Sequence, residues 1–362
     1  MVARKSVLAR TISTPIILTL ILLAVAGLSL WVNNGIFTRT IVEVFIRVMV
    51  VVGLYTFIGN SGVVSFGHIG FMCMGAYATA WFTIPPAMKK YSLRGLPEII
   101  SHNQLSFSLS ITLATLFAGI FAYLFGKILV RLSGITGSIA TFAMLAMINT
   151  VYSNWETVTG ATSSIVGIPR KTDLWTGFAG AELAVIVAYL YAISRSGLAL
   201  RSARDEAIAA AASGVDIARE RLKAFVVSGM ILGAAGALYA HFLGVLTPDA
   251  FYLGLTFISL SMLVVGGMNS LSGAVVGVVV LSAIIELLRT LEKGIAIGNQ
   301  TWALPHGTQE IAIGGVMIVI LIFRPSGLTR NQELSWSGWP FSERSSRQKS
   351  SIKDGVSEGA SA

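Results

Sequence analysis

Few residues in this chain have the types and spacing that chemistry requires. Ser65, Phe66, Gly67, His68 and Gly70 form a polar, glycine-bearing interruption in an otherwise apolar stretch. An imidazole there needs a hydrogen-bonding partner, and bare glycines let a solute approach backbone groups without a side-chain barrier. A second interruption, Gly266, Gly267, Met268, Asn269 and Ser270, can break or turn a helix while leaving polar groups available. Glu43 and Arg47 stand four apart, so on a helix they share one face and can pair. Each feature also has a plain structural reading: a satisfied packing histidine, a short interhelical loop, an interfacial ion pair. No catalytic residue is expected, because His68 and Cys73 supply no convincing nucleophile and base. No second His, Asp or Cys stands at metal-ligand spacing, and a lone cysteine excludes an intramolecular disulfide. The phosphate-cradling pattern G-x-x-x-x-G-K-[ST] does not occur, so no metal, nucleotide or other cofactor is expected.

The elements that must position these groups are set by an apolar composition. Of 362 residues 54% are hydrophobic and 12% charged, and the mean hydropathy is +0.76, which excludes an ordinary water-soluble domain. Apolar, charge-poor stretches recur at 12–32, 40–58, 65–84, 107–126, 134–152, 179–194, 222–243, 251–268, 271–289 and a shorter 309–323. In lipid every backbone polar group needs an internal partner, and these runs lack the alternation of a barrel strand. The expectation is an all-α polytopic membrane protein of about ten transmembrane helices, with broken or re-entrant segments possible at 65–84 and 251–289. The basic start MVARKSVLAR leads into an apolar run too long for a signal-peptide core, and reads as an uncleaved first helix.

Three regions follow: 1–11 as a cytoplasmic N-terminus, 12–323 as the transmembrane body, and 324–362 as an unstructured cytoplasmic tail, rich in Ser, Gly and charge, with Trp336 and Trp339 in it. The net charge of +9 would suggest nucleic acid in a soluble protein; here it encodes topology. With both termini in the cytoplasm, 17 of the 26 basic residues fall inside and eight outside, three of those eight being Lys89, Lys90 and Arg94 in one loop. The outside connection 153–178 is rich in turn formers. Gly229, Gly233 and Gly236, and again Gly273 and Gly277, have the spacing of close helix packing.

The cytoplasmic segment 195–223, RSGLALRSARDEAIAAAASGVDIARERLK, is more than a tether. Alanine favours a compact helix over 207–212, Gly214 can turn the chain, and Asp216 can cap the next helix. Arg204, Asp205 and Glu206 can fix a docking register, with Ala209, Ala210 and Gly214 forming the small-residue contact. A short rigid lever continuing into transmembrane helices is what a motor at the membrane face needs to grip.

At these residues the chain resembles the permeases of branched-chain amino-acid importers, membrane subunits of ATP-binding-cassette transporters, of the type that pairs with a second similar permease. The resemblance covers most of 40–330. It rests on Ala207, Ile208, Ala209, Ala210 and Ala211 with Gly214, where the family pattern has acidic residues flanking its I-A-A core and this chain has alanine. It rests also on GVVSFGHIGFMCMGAY at 62–77, GGMNSLSGAVVG at 266–277 and FRPSGL at 323–328. The resemblance implies a non-enzymatic permease in a bacterial inner membrane, working by alternating access. It further implies a partner permease, two ATPase subunits docked on the cytoplasmic segment, an extracellular solute-binding protein and a small amino-acid substrate, with urea or a short amide as the family's other choices. Apart from the resemblance, an ion-coupled secondary transporter using Glu43, Glu182 and Glu286 stays open.

Overall fold

A computed structural model describes residues 2–334 apart from 133, 293–294, 298–299, 303–304, 306 and 325. In chain order the helices are α1 (Val2–Val32), α2 (Gly35–Ser61), α3 (Ile69–Thr83), α4 (Pro86–Ser92), α5 (Glu98–His102), α6 (Phe107–Leu129), α7 (Gly134–Asn154) and α8 (Glu156–Thr159). They continue with α9 (Leu174–Ile193), α10 (Arg195–Asp205), α11 (Ala207–Ala212), α12 (Ile217–Leu243), α13 (Leu253–Gly266), α14 (Leu271–Glu292) and α15 (Thr308–Phe323). Two short antiparallel pairings complete it: β1 (Ile165–Val166) with β2 (Val245–Leu246), and β3 (Ile295–Ile297) with β4 (Gln300–Trp302).

Among the described residues eight helical runs are long and apolar enough to cross a bilayer: α1 from Thr14, α2, α6, α7, α9, α12, Pro248–Gly266 and α14. The chain is a polytopic, all-α membrane protein. The expected spans at 65–84 and 309–323 coincide with the shorter helices α3, of 15 residues, and α15, of 16. The first is short because the chain is not helical between Ser61 and Ile69: Gly62, at φ +72°, ends α2 in the left-handed region that favours glycine. Helix α9 starts at Leu174, ahead of the expected 179, because a capping box forms. Asp173 accepts from the Thr176 amide at 2.9 Å while the Thr176 hydroxyl accepts from the Asp173 amide at 2.8 Å. The Thr176 hydroxyl, donating to the Asp173 carboxylate at 2.7 Å, and after it the Thr176 amide hold that carboxyl below its usual range. A carboxyl depressed in the folded state contributes above its unfolded pKa and is lost as pH falls through the folded one. Asp173→Ala is expected to cost about 1 kcal/mol at neutral pH, read as a lower unfolding midpoint in detergent.

The core is built around α2, buried continuously from Val48 to Ser61. Helix α12 lies against α2, α3 and α6, and Ser228 donates to the Gly53 carbonyl at 2.6 Å. Glycine permits this close approach. Gly229 and Gly233 face Ala122 and Ala118 of α6, Gly75 of α3 abuts the Gly233 backbone, and Gly236 abuts the Met72 carbonyl. On the outside, α6, α7 and α9 expose Ile120, Leu124, Ile128, Ile135, Ile139, Leu183 and Leu190, a surface suited to lipid.

At the end of the bundle bearing α4 and α5, Lys89 is fully buried. Its ammonium donates to the carbonyls of Ile100 at 2.8 Å and Asn103 at 2.7 Å, and burial lowers its pKa. One of the three basic residues in that loop thus ties α4 to α5.

Residues 326–334, assigned from sequence to an unstructured tail beginning at 324, are instead held by the hairpin of α13 and α14. The amides of Leu328 and Thr329 donate to the carbonyls of Val265 at 2.9 Å and Gly266 at 3.1 Å. The Glu333 carboxylate accepts from the amides of Leu271 at 2.7 Å and Ser272 at 3.0 Å, and from the Ser272 hydroxyl at 2.6 Å. The physical reason is that the first amides of α14 have no intrahelical acceptor and the positive end of that helix favours a carboxylate. Glu333→Ala is expected to lower stability by about 1–2 kcal/mol, measured as the thermal midpoint of the purified protein. Residues 335–362, with Trp336 and Trp339, lie outside the described residues.

Candidate functional site

The break at 62–68 is fastened to α7. Ser138 donates to the Val64 carbonyl at 2.7 Å and the Phe66 amide donates to Thr141 at 3.2 Å. Within the break Ser65 Oγ and His68 Nδ1 lie 2.6 Å apart, and both side chains are fully buried. The His68 ring packs among Phe57, Phe71 and Phe225, with centroids 5.0, 5.9 and 4.7 Å away. Gly67 lies against the Thr141 backbone, and Gly70 against Ile148. Phe66 alone of these five is half-buried. It meets Phe142 of α7 and Phe257 of α13 edge-on, at 6.5 and 6.3 Å, and those partners are 39% and 53% exposed. Three aromatic rings from three elements therefore converge at an open edge of the bundle.

The second interruption closes the α13–α14 hairpin. Gly267 takes φ +125°, and Gly266 packs against Gly273 and Gly277 so closely that no side chain fits between them. Ser270 Oγ accepts from the Gly273 amide at 3.0 Å and lies 2.9 Å from the Thr329 hydroxyl. Asn269 is exposed and its amide donates to Asn331. The structure does not bring the two interruptions together. Phe257 and Gly266 lie at opposite ends of α13, about 14 Å apart by helical rise.

The segment 195–216 is braced at both ends. Ser194 caps α10 by accepting from the Gly197 amide at 3.2 Å, and Arg201 donates to the Ala192 carbonyl at 2.6 Å. Arg204 donates to the Gly59 carbonyl at the end of α2 at 2.6 Å and to Asp205 at 3.0 and 3.1 Å, and its aliphatic stem lies over Gly62. Gly59 in turn approaches the Met268 carbonyl in the α13–α14 hairpin. Asp216 accepts from the Arg219 amide at 3.0 Å, starting α12. Between these anchors α11 stands off the bundle: Ala207, Ile208, Ala209 and Ala211 are exposed, Ile208 by 81%, and only Ala210 is buried. Glu206 precedes it without a side-chain cap, and Gly214, at φ +85° with open space around it, turns the chain into α12.

Two of the intramembrane acids are ion-paired: Arg47 donates to Glu43 within α2, and Arg289 lies 3.4 Å from Glu286. Glu182 of α9 hydrogen-bonds Thr19 of α1 at 2.6 Å through one oxygen, while its other, buried oxygen has no partner. Pairing is the expected answer to the cost of charge in hydrocarbon. Among the described residues no three His, Cys, Asp or Glu side chains cluster to hold a metal ion.

A family model described as the permease component of branched-chain amino acid transport systems matches residues 36–321. The high-affinity branched-chain amino acid transport system permease protein LivM of Salmonella typhimurium (strain LT2) is 25% identical over 318 residues, spanning 78% of this chain and 67% of that protein. LivM of Escherichia coli (strain K12) is 24% identical over the same shares. A probable branched-chain amino acid transport permease protein LivH of Methanocaldococcus jannaschii is 29% identical over 136 residues, 38% of this chain and 41% of that protein. No solved structure matches the chain.

Proposed function

The chain belongs to the branched-chain amino acid transport permease family, and from that premise we propose that it is the membrane-spanning subunit of an ATP-driven importer for branched-chain or related small amino acids. The reading has the chain perform no catalysis; ATP is hydrolysed by two separate cassette subunits, and a second, homologous permease and an extracellular solute-binding protein complete the assembly. Both termini and the 195–216 segment face the cytoplasm of a bacterial inner membrane, in keeping with the basic residues concentrated on that side. The observation that supports this best is α11, a short exposed helix held out on two braced neighbours. A flexible loop would absorb a motor's stroke, whereas Arg204 passes displacement of α10 into α2 and Asp216 passes it into α12.

The substrate route in this reading runs along the open edge at Phe66, Phe142 and Phe257. Rings there suit an apolar side chain, and the break behind them, with Ser65, Gly67, His68 and Gly70, is the non-helical segment best able to repack between inward- and outward-facing states. Gly266, Gly267, Asn269 and Ser270 act at one end of α13, transmitting motion between the α13–α14 hairpin and α2. Co-reconstitution tests the whole reading. Leucine uptake into liposomes should require the second permease, the ATPases, ATP and the binding protein together. Uptake by this chain alone under an ion gradient would overturn the proposal, and preferential uptake of urea or a short amide would overturn its substrate assignment.

A further inference from the structure

Glu182 stands near the middle of α9, about 12 Å by helical rise from the start of the helix and about 16 Å from its end, a depth at which a bare charge is costly. The other two intramembrane acids have an arginine within one turn; Glu182 has no ion pair among the described residues. Its Oε2 is shielded from solvent without a hydrogen-bond partner. Its Oε1 meets the Thr19 hydroxyl of α1 at 2.6 Å. That hydroxyl also lies 2.9 Å from the Pro15 carbonyl one turn back in its own helix, the ordinary back-bond of a helical threonine. A hydroxyl has a single hydrogen to give, and a carbonyl can only accept. When the Thr19 hydrogen goes to Pro15, the hydrogen in the shorter contact has to come from the carboxyl. With Glu182 ionised, two acceptors would compete for one hydrogen and Oε2 would be a buried anionic oxygen with no donor. With a proton on Oε1, both contacts are complete hydrogen bonds, and Oε2 is a neutral carbonyl oxygen, which tolerates a missing partner far better.

We propose that Glu182 is a proton-holding carboxylic acid that pins α1 to the body of the protein, Oε1–H donating to Thr19 and Thr19 donating to Pro15. Helix α1 is the element that needs a pin. It precedes the residues matched by the family model, which begin at 36, and it is the least buried of the eight spans. Its buried apolar contacts form a narrow stripe, Leu18, Leu22 and Ala26. Apolar contact gains little over lipid tails, whereas a hydrogen bond between helices has no counterpart there. The other polar ties of α1 lie near its ends and reach other elements: Thr14 donates to the Leu334 carbonyl at 3.0 Å, and Ser29 to the Thr38 hydroxyl at 3.1 Å. The contact of Thr19 with Glu182 is the one hydrogen bond joining α1 to α9 among the described residues. A neutral acid makes that bond without placing a charge in the seam between the two helices. The inference depends on neither the transported substrate nor the partner chains.

Infrared spectroscopy of the full-length protein in lipid at neutral pH reads the proton directly. The wild type should show the carbonyl stretch of a protonated carboxylic acid, and Glu182→Gln should lack it. Thermal midpoints read the pin. Glu182→Gln keeps an N–H that can donate to Thr19 and should match the wild type, whereas Glu182→Ala and Thr19→Val should each fall by several degrees. Because both remove the same bond, the double variant should fall no further than the lower of the two. If Glu182→Gln does not fold, Thr19→Val serves in its place, since an acid that has lost its acceptor should show its carbonyl band at higher frequency. The absence of an acid band from the wild type, or its persistence in Glu182→Gln, would overturn the assignment of the proton, as would an unmoved band in Thr19→Val. A Glu182→Gln midpoint as low as that of Glu182→Ala, or an additive loss in the double variant, would overturn the pin.

Discussion

Arg204→Ala is expected to lower amino-acid uptake by the reconstituted complex at least tenfold while ATP hydrolysis continues. The guanidinium donates to the Gly59 carbonyl, one of the last in α2, which has no intrahelical amide to accept from. A hydrogen bond from a charged donor contributes about 1.5–3 kcal/mol, and here it is the main polar link between the segment carrying α11 and the most buried helix. Its removal leaves α10 able to move without α2, so work done on α11 is dissipated. Arg204→Lys can reach the same carbonyl but cannot also hold Asp205 with a planar fork, and should fall between wild type and alanine. The measurement is leucine taken up per ATP hydrolysed in liposomes. A ratio unchanged from wild type would remove Arg204 from the coupling route, whereas loss of ATPase assembly would show that it serves docking instead.

Much of this arrangement was legible beforehand because lipid is a strict solvent. Once the apolar runs are found, helices are the only answer, and Gly214, Asp216 and the alanine run predict a helix, turn and helix that the structure contains. The pairing of Glu43 with Arg47 follows from spacing alone. What spacing cannot reveal is a bond between residues distant in the chain. Arg204 reaches Gly59 across 145 positions and Glu333 reaches Leu271 across 62; neither carries a local signal. The tail is the clearest case, since its polar composition reads as disorder, yet its first residues supply acceptors that the start of α14 lacks. Lys89 and Arg221 look alike in sequence as surface cations. Only the fold separates one that is satisfied by two carbonyls from one that is left without a partner. Phe66 was legible as part of the break, but its meeting with Phe142 and Phe257 depends on how α7 and α13 are placed.

Gly236→Ala is expected to abolish most of the folded protein, a result out of proportion to the addition of one methyl group. A β-carbon at Gly236 would overlap the Met72 carbonyl oxygen and press on the Ala76 amide; both are backbone of α3, which cannot rotate away as a side chain would. Overpacking in a yielding core costs about 1–3 kcal/mol. Here relief requires moving α12 away from α3, and the Gly75–Gly233 and Gly229–Ala122 approaches on the same helix would open with it. Close packing is the chief attraction between helices in lipid, where apolar side chains gain little by leaving their surroundings, so a separated α12 loses what holds it to both α3 and α6. Gly27 in α1, with no atom within 4 Å of a built β-carbon, is the matched control: Gly27→Ala should leave the yield of monodisperse protein unchanged, because it adds a methyl to a lipid-facing helix and improves helix propensity. Size-exclusion profiles of the two variants expressed in parallel decide it. Equal yields would mean that α12 and α3 can separate at little cost, and the rigid core on which the lever at α11 depends would then have to lie elsewhere.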